Sequence, residues 1–110
     1  MTSVKFFAEK DKLYGFEISG HSSTDYDDET GKIVCAAVSS AAYMAANTIS
    51  EIIKDEEEVA VSDGVMRFIV KNPSDATIKV FKGLRLHLEE LSGQYSNNIR
   101  IIGGANYVKD

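Results

Sequence analysis

The chain has 110 residues, a formal net charge of −5, 44% hydrophobic and 26% charged residues, no Trp, one Pro and one Cys. That length supports one core and a single domain over residues 1–110, not two. One cysteine excludes an internal disulfide, and the acidic balance argues against a phosphate-neutralising surface, so no direct nucleic-acid binding is expected. No run approaches the ~20 apolar residues that cross a bilayer. Met1 to Lys10 is too charged for a signal peptide. The expected setting is therefore cytoplasmic and away from membranes, with an acidic surface suited to a basic protein partner.

Val4 to Ala8 is apolar, and Glu9-Lys10-Asp11-Lys12 follows as a charged turn. Leu13 to Ser19 alternates, with Tyr14, Phe16 and Ile18 as its apolar set, the period of a half-buried strand. The two runs predict an antiparallel hairpin that Gly20 ends, setting His21 at the rim of the sheet. Residues 21–32 are polar and form a long loop, a feature usually tied to function or disorder.

Ile33 to Ile53 predicts the first helix, with Val34, Val38, Ala41, Ala45, Ile49 and Ile52 on one face. The charged run Lys54 to Glu58 ends it. Val59 to Val61 and Val65 to Val70 read as strands joined by Ser62-Asp63-Gly64, a hairpin signal. Asn72-Pro73 stops the second strand, and Ser74 or Asp75 caps the next helix. That helix runs from Asp75 to Tyr95 on a stripe of Val80, Leu84, Leu88, Leu91 and Tyr95, with Ile78 and Phe81 beside it. Ile99 to Ile102 is a last strand, and Gly103-Gly104 begins a frayed tail. The order β-β-α-β-β-α-β indicates an α+β two-layer sandwich: a mixed, mostly antiparallel five-stranded sheet with two helices.

Chemistry concentrates at Gly20-His21 and Cys35. A helix beginning at Ile33 holds Cys35 in its first turn, where unpaired amides and the macrodipole favour a thiolate. His21 could accept the thiol proton and later protonate a leaving amine. The backbone N–H groups of Cys35 and Ala36 are candidate oxyanion donors. Gly20, Ser22 and Ser39 are candidate substrate contacts. Ser39 shares a side with Cys35 at i+4, although a helical serine more often bonds back to the preceding turn. The bland alternative for Cys35 is a small buried hydrophobe. His87, between Leu86 and Leu88, reads as a surface or subunit-contact residue.

Asp25, Asp27, Asp28 and Glu29 crowd one loop without the EF-hand spacing, so a solvated acidic loop is the reading. Orientation of His21 by one of them, or attraction of a basic substrate, stays open. One Cys and two His do not make a zinc site, and there is no phosphate-binding glycine loop, so no metal or cofactor is expected.

At Gly20-His21 and Ile33-Val34-Cys35-Ala36-Ala37-Val38-Ser39 the chain resembles the ribosomal-processing cysteine proteases of the Prp, or YsxB-like, family. The resemblance spans nearly the whole chain, including the element order and the late Asn98-Ile99-Arg100. It implies a small homodimeric cysteine endopeptidase that removes the N-terminal extension of large-subunit ribosomal protein twenty-seven after a hydrophobic, Phe-containing site. His21 then matches the catalytic histidine and Cys35 the nucleophile. Ser22 stands where the family usually has Ala, and Lys32 where an acidic residue is common. The reading from another class is a non-catalytic ribosome-associated binding module that uses the same groove. A redox role is poor, because no second cysteine is present.

Overall fold

The structure, a computed structural model, describes residues 1–20 and 29–103. Strands β1 (Thr2–Glu9) and β2 (Lys12–Gly20) form the expected hairpin. Lys10 and Asp11, which join them, both have positive φ (50° and 69°), the geometry of a tight turn whose twist matches its strands. Then come α1 (Glu29–Asn47), a π-helical continuation (Thr48–Ile53), β3 (Glu58–Ser62), β4 (Val65–Ile69), α2 (Asp75–Gln94) and β5 (Ile99–Gly103). The sheet order is β3-β4-β2-β1-β5; β5 runs parallel to β1 and every other pair is antiparallel. The expected α+β architecture and element order are those observed.

One face of the sheet carries the helices. Val4, Phe6, Leu13, Phe16, Phe68 and Ile99 from the strands meet Val34, Val38, Ala42, Ala45 and Ile49 of the first helical stretch and Phe81, Leu84 and Leu88 of α2. Phe16 stacks on Phe68 with centroids 5.7 Å apart, and Phe81 stands edge-on to both at 6.2 Å. Each such buried ring contributes about 1.5–3 kcal/mol of transfer free energy. The other face mixes charged and apolar side chains. Arg67 donates to Glu17 at 2.7 Å and lies over the Phe7 ring, which stacks on Tyr14.

Several details depart from the sequence expectations. The register shifts between Phe7 and Ala8: Phe7 pairs with Gly15, but Ala8 pairs with Leu13. Tyr14 is thus the extra residue of a bulge, which puts Leu13 beside Phe16 in the core and sends Tyr14 to the opposite face, against Phe7. Near the end of the first helix the backbone widens to π geometry. The wider turn leaves Ile52 75% exposed and packs Ile53 against the core instead.

The helical stretch Glu29–Ile53 has 25 residues and is long and apolar enough to cross a membrane by length and composition, against the expectation that no run approached this. Its Val34, Val38, Ala42, Ala45, Ala46 and Ile49 are buried in the domain core, as in the core helix of a globular domain. The acidic run after it is more than a charged turn. Asp55 accepts hydrogen bonds from the Ser74 amide and hydroxyl, both at 2.9 Å, and Ser74 in turn accepts from the Thr77 amide as N-cap of α2. The expected tail beyond Gly103 lies outside the described residues.

Candidate active site

Gly20 ends β2 in a conformation that only glycine adopts readily. Its φ is +83°, and a Cβ would sit 2.5 Å from the Met1 carbonyl oxygen. Its amide donates to the Gly64 carbonyl at 3.1 Å, tying the end of β2 to the tip of the β3–β4 hairpin. Gly20 therefore fixes the point from which the chain leaves the sheet toward His21.

Cys35 faces this point from α1. It is free and half-buried. A cleft of about 220 Å³ is walled by Gly20 and Ile18 of β2, by Cys35, Val38, Ser39 and Tyr43 of α1, and by Val61, Val65 and Met66 of the hairpin. The structure thus brings together three of the residues singled out from sequence: Gly20, Cys35 and Ser39. The largely apolar wall suits an apolar side chain.

Two expectations change. The chain is already helical at Glu29, four residues before Ile33; Glu29, Thr30 and Lys32 are exposed and polar, so they carry no apolar period. Cys35 consequently lies beyond the first turn. The dipole effect fades within the first turn, so the helix end does less for the thiolate than the sequence suggested. The amides of Cys35 and Ala36 now fall within the i→i−4 ladder rather than among the unpaired first four. Their assignment as oxyanion donors loses its basis, and Ala36 is exposed outside the cleft.

The expectations for His21, Ser22, Asp25, Asp27 and Asp28 fall outside the described residues; Glu29 is exposed in the first turn of α1. His87 lines a separate groove between α1 and α2 and does not share the Cys35 cleft. Among the described residues no cluster of His, Cys, Asp and Glu could hold a metal ion. Sequence reasoning missed Ile18, Tyr43, Val61, Val65 and Met66. They come from three separated segments, and only the way the hairpin folds back beside β2 makes them neighbours.

Residues 1–100 match the family model for the cysteine protease Prp. The chain belongs to that family. It is accordingly a cysteine-type peptidase. Among solved structures, the essential ribosomal processing protease Prp from S. aureus with a covalently linked product peptide is 20% identical, with a TM-score of 0.81, and the match covers 93% of this chain and 98% of that one. The same protease with a substrate peptide is 19% identical at a TM-score of 0.81, covering 92% and 97%. SMU.848 from Streptococcus mutans is 23% identical at a TM-score of 0.78, covering 93% and 97%. These likenesses establish a shared Prp fold. No curated protein matches the sequence.

Proposed function

We propose that this Prp-family chain is an endopeptidase that removes the N-terminal extension of large-subunit ribosomal protein twenty-seven, with Cys35 as nucleophile and His21 as general base and acid. The observation that carries this reading is that Gly20 and Cys35 line one cleft. His21 is bonded to Gly20, and consecutive Cα atoms are about 3.8 Å apart. That covalent link to a cleft residue is what supports His21 as the partner of the thiol.

In this mechanism His21 takes the Cys35 proton, and the sulfur attacks the scissile carbonyl carbon. The tetrahedral species collapses as the C–N bond breaks, and His21 passes the proton to the departing amine. Water, deprotonated by His21, then attacks the thioester. The C–S bond breaks, the acid product leaves and the thiol is restored. Ile18, Val38 and Met66 would receive the hydrophobic side chain next to the cut, and Ser39 would touch the substrate backbone. The S. aureus relative, captured with a substrate peptide and with a covalently linked product peptide, supports a ribosomal-processing role.

The test mixes the protein with ribosomal protein twenty-seven from the same cell and follows intact mass. The reading expects loss of the N-terminal extension, abolished by Cys35→Ser. An intact substrate after prolonged incubation with active protein would contradict it.

A further inference from the structure

The strand β3 lies at an edge of the sheet. Among the described residues it pairs only with β4, and all five of its residues are exposed. Such an edge displays backbone N–H and C=O groups onto which another extended chain can add. Edges are commonly protected by Lys, Pro or a bulge; β3 reads Glu-Val-Ala-Val-Ser, with regular pairing and none of these.

The register shows which groups are free. Only Asp63 and Gly64 separate Ser62 from Val65, which are paired. The closing pair of a two-residue hairpin exchanges ladder hydrogen bonds, and bonded and non-bonded pairs then alternate. Val61 opposite Met66 and Val59 opposite Phe68 are therefore non-bonded pairs. Their amides and carbonyls point away from β4, toward the open edge. Their side chains share the sheet face of Met66 and Phe68, yet Val59 is 51% and Val61 64% exposed. Val61 also lines the Cys35 cleft. One strand thus offers two donor–acceptor sets about 7 Å apart, beginning at the nucleophile's cleft.

We propose that β3 is the substrate-docking strand. An extended segment beside the scissile bond adds to the sheet as a sixth strand, pairing with the backbone of Val59 and Val61, and is thereby laid across Cys35. This rests on the peptidase reading above. Substrate is favoured over a second copy of the chain because the open edge runs directly into the cleft, and a peptide must be extended for its carbonyl to be attacked there. Main-chain pairing gives alignment irrespective of sequence. Val59 and Val61 then select apolar side chains at alternate substrate positions.

The test uses isotope-labelled Cys35→Ser protein and a synthetic peptide spanning the extension junction of ribosomal protein twenty-seven. With peptide at saturation, amide exchange at Val59 and Val61 slows by at least ~10-fold. Peptides N-methylated at one backbone amide after another lose affinity with a period of two. Bound peptide with unchanged exchange at both amides, or a methylation profile lacking that period, overturns the docking strand and leaves the peptidase reading standing. Protection with the period, but no cleavage by wild-type protein, overturns the ribosomal substrate and keeps the docking strand. Absence of any binding overturns both. Protection that grows with protein concentration without peptide means that the edge pairs with itself, and overturns the proposal.

Discussion

The helix α1 has a cavity on either side, and the two differ in what built them. The larger, about 700 Å³, lies between α1 and α2 and owes its room to small residues: Ala37, Ala41, Ala45 and Gly83. Met44, Val80 and Leu84 add to its apolar wall, and His87 is among its polar lining. The smaller, about 220 Å³, lies where the end of β2, the hairpin tip and the Cys35 turn of α1 converge. Volume and apolarity favour the first, but the second has the free cysteine, the nucleophile of our proposal, and a glycine whose backbone cannot be replaced cheaply. On the proposed function, chemistry follows convergence of chain segments, not the size of the space.

The sharpest way to break this contrast is Cys35→Ser. Peptide hydrolysis should fall at least ~10³-fold with an unchanged melting temperature, because a poorer nucleophile occupies the same half-buried position. His87→Ala, in the larger cavity, should leave the rate within about twofold. Loss of hydrolysis in His87→Ala would move the active site to the other side of the helix.

The glycines give the next contrast. Gly20→Ala forces a side chain to a positive φ against the Met1 carbonyl. It should cost about 1–3 kcal/mol of stability and reduce hydrolysis by displacing the start of the His21 segment. Gly83→Ala meets nothing within 4 Å. A mid-helix alanine there should stabilise by about 0.5–1 kcal/mol without changing the rate. Thermal melts and initial rates read both.

The smallest effect concerns the tie that holds α2 to the turn after the first helix. The Ser74 amide beside Asp55 keeps its carboxyl below the usual carboxylate value. A depressed folded-state value stabilises above the unfolded pKa near ~4 and is lost as pH falls below it. Asp55→Asn should therefore lower the melting temperature slightly at pH 7, and the difference from wild type should shrink toward pH 3. A difference that is constant with pH would remove the carboxylate from the account.

Much of the frame could be read from local pattern. The order of elements along the chain, the Lys10-Asp11 and Asp63-Gly64 turns and the second helix follow from periodicity and turn chemistry, because each signal lies within a few residues. The cap of that helix could be narrowed to Ser74 or Asp75 for the same reason, and the structure selects Ser74. What escaped depended on distant partners. The bulge that turns Tyr14 outward is a matter of pairing with β1, and the π segment that exchanges Ile52 for Ile53 shifts the helical phase where the period gives no warning. The early start of α1 is hidden because Glu29, Thr30 and Lys32 add no apolar period, although Gly31 is buried. At the site, Cys35 and Gly20 were legible as unusual residues. The wall that makes them a cleft was not, since Val61, Val65 and Met66 reach it only through the pairing of β4 with β2.

The central claim is that a thiol in the small cleft is activated by an imidazole tethered to Gly20. Alkylation by iodoacetamide tests it without knowledge of the substrate. At pH 6.5 Cys35 should react faster than a simple free thiol, and His21→Ala should slow it toward the free-thiol rate. A Cys35 that reacts no faster than a free thiol, or equally fast with and without His21, would contradict the account.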